Sequence, residues 1–223
     1  MQGLLSILLV LFVTPVLQAE TPPSAQELEE WFMSDELTPP SQSSDSQLKF
    51  IPAPTDNAVL HSVNAIKIRP QSLTTGWVEL VQCYQHLDAV PEMEVVYQYK
   101  NMRNLMIIKK QNIAQAYIQG QSVQLEDVAR NARLCVQSEV KILHKNKNAT
   151  YTLLNGPFHR QFMDSYFPFH LTLKISFPSA LLKFIKSKPA AQTGFEVTLS
   201  DNTLLIESYF TGKLYTKVTF KSR

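Results

Sequence analysis

Glycine and cysteine are scarce in this 223-residue sequence, which holds six of the first and two of the second. So few glycines exclude collagen-like and glycine-linker architectures. Two cysteines exclude a disulfide-dense miniature scaffold and a zinc site built from cysteine alone. Charge is sparse as well: 18% of residues are charged and the formal net charge is +2, unlike the highly charged chains that stay unfolded. Beyond the N-terminal segment no apolar run is long enough to read as a membrane-spanning helix. Several catalytic signatures are missing too, namely G-x-S-x-G, H-E-x-x-H, a Walker A loop, G-x-G-x-x-G and C-x-x-C. Their absence counts against common hydrolases, zinc proteases, nucleotide enzymes and dithiol redox enzymes.

What is present begins with an apolar stretch, Leu4 to Val13, followed by Pro15 and a short segment ending at Ala19. A stretch near ten residues is too short to cross a bilayer but suits the central region of a secretory signal, so residues 1–19 read as a signal peptide cleaved near Ala19. The mature protein is then expected to be exported, periplasmic or extracellular, and not transmembrane. In an oxidising compartment Cys83 and Cys135 read as one structural disulfide, whose loop of roughly 50 residues is worth about 4 kcal/mol in the chain-entropy model.

The mature chain is electrically lopsided. Residues 20–57 carry eight acidic side chains and one basic, Lys49, so this arm has a charge of −7, while residues 58–223 carry +9. Six of the thirteen prolines and a serine-rich patch lie in the arm, which favours extended, solvated backbone in a disordered linker. One stretch reads differently. Ser24 and Glu27 form a capping-box pattern, and Leu28, Trp31 and Phe32 follow on one face of a short amphipathic helix spanning 24–37. Those three side chains are the expected docking face, either onto the basic body or onto another protein.

From residue 58 onward short alternating runs are separated by turn residues. Leu171, Leu173, Ile175 and Phe177 share one face of a strand, and the segment 214–220 repeats the pattern. The runs 195–199 and 204–210 flank Ser200-Asp-Asn-Thr203, a hairpin turn. Further strand candidates are 94–99, 105–109, 114–118, 134–143 and 151–154. Residues 76–87 fit strand and helix spacing alike, with the valines and aromatics favouring strand. The expected fold is therefore mainly β: an antiparallel sandwich, immunoglobulin-like or barrel-like, covering 58–223. An immunoglobulin-like arrangement would place the disulfide between two facing sheets, although Trp77 precedes Cys83 and Arg133 stands where such domains carry a tyrosine.

The five histidines include no pair within four positions, so no local metal site can be read, and no cofactor is expected. Chemistry concentrates in 155–170, where Phe158, Phe162, Tyr166, Phe167 and Phe169 surround His159, Arg160, Asp164 and His170. One reading is a loop-built pocket in which His159 and Arg160 hold an anion against aromatic walls. The other is an inter-strand connection whose aromatics close one end of the core. Lys183, Lys186 and Lys188 mark a basic strip, which reads either as edge-strand protection or as a patch for an anionic surface. The expected function is a non-enzymatic interaction or accessory protein that binds another exported protein or an anionic envelope component, with no role for nucleic acid. The alternative is a hydrolase or glycan- or lipid-modifying enzyme centred on 155–170.

Overall fold

Alternation of apolar and polar side chains organises the chain from residue 59 onward, and it produces strands almost throughout. The computed structural model describes residues 47–54, 59–163 and 165–223. In chain order these form β1 (Lys49–Phe50), β2 (His61–Lys67), a one-turn helix α1 (Ser72–Thr75), β3 (Trp77–Leu87), β4 (Val90–Val96), β5 (Met102–Gln119), β6 (Ser122–Lys141), β7 (Leu143–Lys145) and β8 (Thr150–Phe158). There follow β9 (Gln161–Phe162), β10 (Ser165–Tyr166), β11 (Phe169–Ser176), β12 (Leu182–Lys188), β13 (Phe195–Ser200), β14 (Thr203–Thr211) and β15 (Leu214–Ser222). The expected signal peptide, the helix at 24–37 with Leu28, Trp31 and Phe32, and Asp164 lie outside the described residues.

The protein is mainly β, as its pattern predicts, and the ambiguous segment 76–87 is strand. A large sheet has the order β1-β14-β11-β2-β3-β6-β4, with β13 also beside β14 and β5 along β6; a second has the order β12-β15-β8-β7. Pairing is antiparallel except where β2 runs parallel to β11, a connection no local pattern announces. Along β14 every second residue is buried, including Leu204, Ile206 and Phe210, and β15 buries Leu214, Val218 and Phe220 in the same rhythm. These side chains, from both sheets, belong to one hydrophobic cluster with Leu80, Leu153, Leu171, Leu173 and Ile175. The short β1 adds Phe50 to the rim of that cluster by pairing with Phe210, so the body begins within the stretch read as linker.

Three features of the expected architecture differ in the structure. The runs 105–109 and 114–118 are parts of one 18-residue strand, β5, which forms a long hairpin with the 20-residue β6. The turn of this hairpin is Gly120-Gln121, where Gly120 takes φ of +61°, the left-handed region that glycine enters at little cost. Second, β8 runs to Phe158, so the connection expected over 155–170 shrinks to a small hairpin of β9 and β10.

The third difference is the placement of the disulfide. Cys83 and Cys135 are bonded, but they face each other on neighbouring strands of one sheet, 4.1 Å apart at Cα, not on two facing sheets. The reason is the length of β6. Its C-terminal half pairs with β3 and its N-terminal half with β4, so the bridge sits where the hairpin leaves the body. Beyond it Leu87, Tyr97, Ile113, Val123, Leu125 and Val128 contribute to a second, smaller cluster. Among the described residues no helix is long and apolar enough to cross a membrane.

Candidate ligand-binding cavity

A cavity of about 330 Å³ opens where β3, β4 and the segment after β4 face the end of β8, within the range of roughly 300–1,000 Å³ typical of small-molecule sites. Its apolar walls come from Leu60, Leu87, Met93, Val95, Phe158 and Phe169. Its polar wall carries Ser62, Gln82, Tyr84, Tyr97 and Tyr99, with His159 and Arg160 also lining it. Strand periodicity aligns several of these groups, since Gln82 and Tyr84 project from the same face of β3. Gly156, also in the lining, has φ of +121°, and a Cβ there would meet the Leu214 carbonyl at 2.7 Å. Only glycine lets β8 lie this close to β15 at the cavity floor.

Buried polar atoms in folded proteins almost always find partners. Among the described residues five buried side-chain atoms make no hydrogen bond of good geometry, and three belong to residues of this lining: Gln82 Oε1, His159 Nδ1 and the Tyr97 hydroxyl, which has the Tyr84 hydroxyl beside it. Gln82 is otherwise engaged, since its Nε2 donates to Asn64 Oδ1 at 2.5 Å and Asn64 Nδ2 donates to Ser62 Oγ at 2.9 Å. Tyr99 donates to Asn155 Oδ1 at 2.6 Å. Burial keeps the tyrosines protonated: it pushes Tyr84 up to about 12, and it raises Tyr97 and Tyr99 well beyond the ordinary phenol range, with Tyr84 adding to both. The polar wall therefore presents neutral donors and acceptors.

The rim is set by ion pairing. Arg160 donates to Asp88 through Nε (3.2 Å) and Nη2 (2.5 Å) and lies 5.5 Å over the Phe167 ring. Asp88 lies between β3 and β4, so the pair ties that corner to the end of β8. His159 packs edge-on against Tyr166, ring centroids 5.9 Å apart, and its pKa is lowered by burial and by Lys213. With the Arg160 guanidinium held by Asp88 and His159 biased towards its neutral form, the cavity suits an uncharged polar group better than an anion.

The depressed histidine carries a stability consequence. A histidine whose folded pKa lies below its unfolded value of about 6.5 contributes stability that is complete above that pH and is lost as pH falls towards the folded value. His61, lowered to about 4 by burial and then by His170, acts in the same direction. Urea midpoints are therefore expected to fall between about pH 6.5 and 4, and His159→Gln should make that decline shallower. Equal slopes for the two proteins would show that His159 titrates normally.

The side chains singled out in the sequence are divided among three places. His159 and Arg160 line the cavity, and Tyr166 packs against His159 from outside the lining. His170 does not, because it alternates with Phe169: Phe169 faces the cavity and His170 the opposite side of the sheet. Lys183 and Lys186 are exposed and Lys188 partly buried on β12, the edge of the second sheet, outside the cavity lining. The tyrosine and glutamine wall was missed, although Gln82-x-Tyr84 and Tyr97-x-Tyr99 both show the period-two spacing of polar side chains on one face. No protein-family model matches the chain, and no curated protein matches it in sequence.

Proposed function

We propose that this is an exported, non-enzymatic binding protein whose β domain, a two-sheet sandwich, holds a small uncharged amphipathic molecule in the tyrosine-lined cavity. The observation that carries this reading is one cavity that combines apolar walls with the polar side chains of Gln82, Tyr84, Tyr97, Tyr99 and His159. A few hydroxyl, amide and imidazole groups set among apolar walls suit a ligand that carries a hydroxyl or amide on an apolar body. Export is supported by the disulfide, a bond characteristic of oxidising compartments. The charge of the acidic arm against the basic body supports a role for the arm, through Leu28, Trp31 and Phe32, in docking on the body or on a second exported protein. Of the features that would favour hydrolytic chemistry, His159 lines the cavity with a pKa lowered by burial, while Asp164, the acid that would accompany it, lies outside the described residues.

2-Naphthol, an uncharged fluorescent molecule with one hydroxyl on an apolar body, tests the cavity. The mature protein is expected to bind it saturably at one equivalent. Val95→Trp, which fills the apolar side, should weaken binding at least about tenfold, and Tyr97→Phe about fivefold, as expected for one hydrogen bond. The buried Tyr97 hydroxyl interacts with that of Tyr84, so Tyr97→Phe should shift the melting temperature by no more than about 4 °C. Absence of saturable binding, or equal binding by Val95→Trp, would remove the cavity from the account.

A further inference from the structure

On the outer face of the large sheet, away from the cavity, three rings stand in a column. β2 and β11 place His61 opposite His170, and β14 places Tyr209 opposite His170 on the other side. His61 stacks on His170 with centroids 3.7 Å apart and planes at 10°, and His170 stacks on Tyr209 at 4.0 Å and 12°. Aromatic pairs left to themselves prefer offset or edge-on contact; here strand register imposes the parallel stack. Its consequence is directional, because both imidazoles aim Nε2 towards the next row of side chains, Thr172 and Glu207.

In that row His61 Nε2 lies 2.8 Å from Thr172 Oγ1, and His170 Nε2 lies 2.8 Å from Glu207 Oε2. The Thr172 hydroxyl donates to the Glu207 carboxylate, with both oxygens at 2.9 Å. Thr172 has a single proton and gives it to Glu207, so His61 must donate through Nε2 when no ion is bound. The potential ligand atoms of His61, His170 and Glu207 all lie within 4.8 Å of one another. A further carboxylate stands next to them, since Glu196 on β13 is directly opposite Glu207. Like charges facing each other across a strand pair are destabilising, and among the described residues neither has a lysine or arginine salt bridge.

We propose that His61, His170 and Glu207 form a binding site for a divalent transition-metal ion, with Zn²⁺ as its representative, independently of the cavity. Two imidazoles and one carboxylate are a ligand set that zinc and its neighbours accept, leaving a fourth position open, whereas calcium and magnesium require shells of oxygen. Around tetrahedral Zn²⁺ at about 2.0 Å the ligand atoms stand roughly 3.3 Å apart, so separations that now reach up to 4.8 Å close by about 1.5 Å at most, while His170 Nε2 and Glu207 Oε2, now 2.8 Å apart, open slightly. The ion takes the place of the two Nε2 protons, and each imidazole binds it as the neutral tautomer that carries its proton on Nδ1. Thr172 then holds the carboxylate and Tyr209 backs the His170 ring, the outer support that metal ligands ordinarily have. Glu196 supplies negative charge beside the ion.

The test uses untagged mature protein with its disulfide intact. Calorimetric titration with Zn²⁺ is expected to show one equivalent bound, with a raised melting temperature. Glu207→Gln and His170→Asn, each checked for an unchanged apo circular-dichroism spectrum, should each lower the affinity at least about tenfold. Co²⁺ titration of the unmutated protein needs no variant and should develop the intense visible absorption of a tetrahedral nitrogen–oxygen site. Absence of saturable Zn²⁺ binding, Co²⁺ spectra that stay those of the hexa-aquo ion, or undiminished stoichiometry and affinity in a folded His61→Asn/Glu207→Gln double variant would each overturn the site.

Discussion

Truncating Phe220 to alanine is expected to destabilise the fold by about 3–5 kcal/mol, the range for removing a fully buried aromatic ring. Phe220 is 0% exposed near the end of β15. Its ring centre lies 4.9 Å from that of Phe177, directly after β11 in the large sheet, and 6.3 Å from that of Phe184 in β12. The ring thus belongs to one sheet and is packed by both, so the space it vacates cannot close without moving one sheet towards the other. At roughly 2–4 °C per kcal/mol for a chain of this size, the melting temperature should fall by about 10–15 °C. Leu199→Ala is the matched comparison. Leu199 is 50% exposed, and its loss should stay within about 0.5 kcal/mol, as at other surface positions. Denaturant midpoints for the two variants decide the matter: similar values would mean that the sheets do not share a core at Phe220.

Opening the Cys83–Cys135 bond is expected to lower stability by about 4 kcal/mol, with a melting temperature roughly 10 °C lower. The cysteines are 52 positions apart in sequence, so the bond removes a large closure entropy from the unfolded chain. In the folded chain it joins residues that strand pairing already opposes, since Cys83 and Cys135 are partners in the β3–β6 register. The reduced protein should therefore keep its far-ultraviolet spectrum at room temperature and unfold earlier on heating. Cys83→Ala/Cys135→Ala should behave like the reduced protein. A midpoint indifferent to reductant would show that the unfolded chain gains no freedom when the bond opens.

How much of this was legible follows from which interactions are local. Strands such as β11, β14 and β15 were readable because one face is buried and the other is not, so the sequence alternates with the pleat. β5 was readable only in fragments. Most of its residues are exposed on both faces, which erases the alternation that would have joined 105–109 to 114–118. The placement of the disulfide depends on β6 serving two partners in tandem, a matter of strand length that cysteine spacing does not report. The candidate cavity was half legible. The run 155–170 led to His159, Arg160 and Tyr166, but the opposing wall of Gln82, Tyr84, Tyr97 and Tyr99 comes from segments with no feature linking them to it. The outer-face cluster was invisible for a related reason. A search for histidines within four positions cannot find His61 and His170, which meet only through the parallel pairing of β2 and β11.

The bridge at the foot of the long hairpin has one more effect. It closes β4, β5 and the first part of β6 into a covalent ring, and β5 lies along the edge of its sheet with Met106, Ile108 and Tyr117 exposed. A protease that nicks the backbone once anywhere between positions 84 and 134 would leave both fragments tethered through sulfur. The clipped molecule would migrate as a single band until a reductant released two pieces, so the exposed ribbon can be cut without being shed.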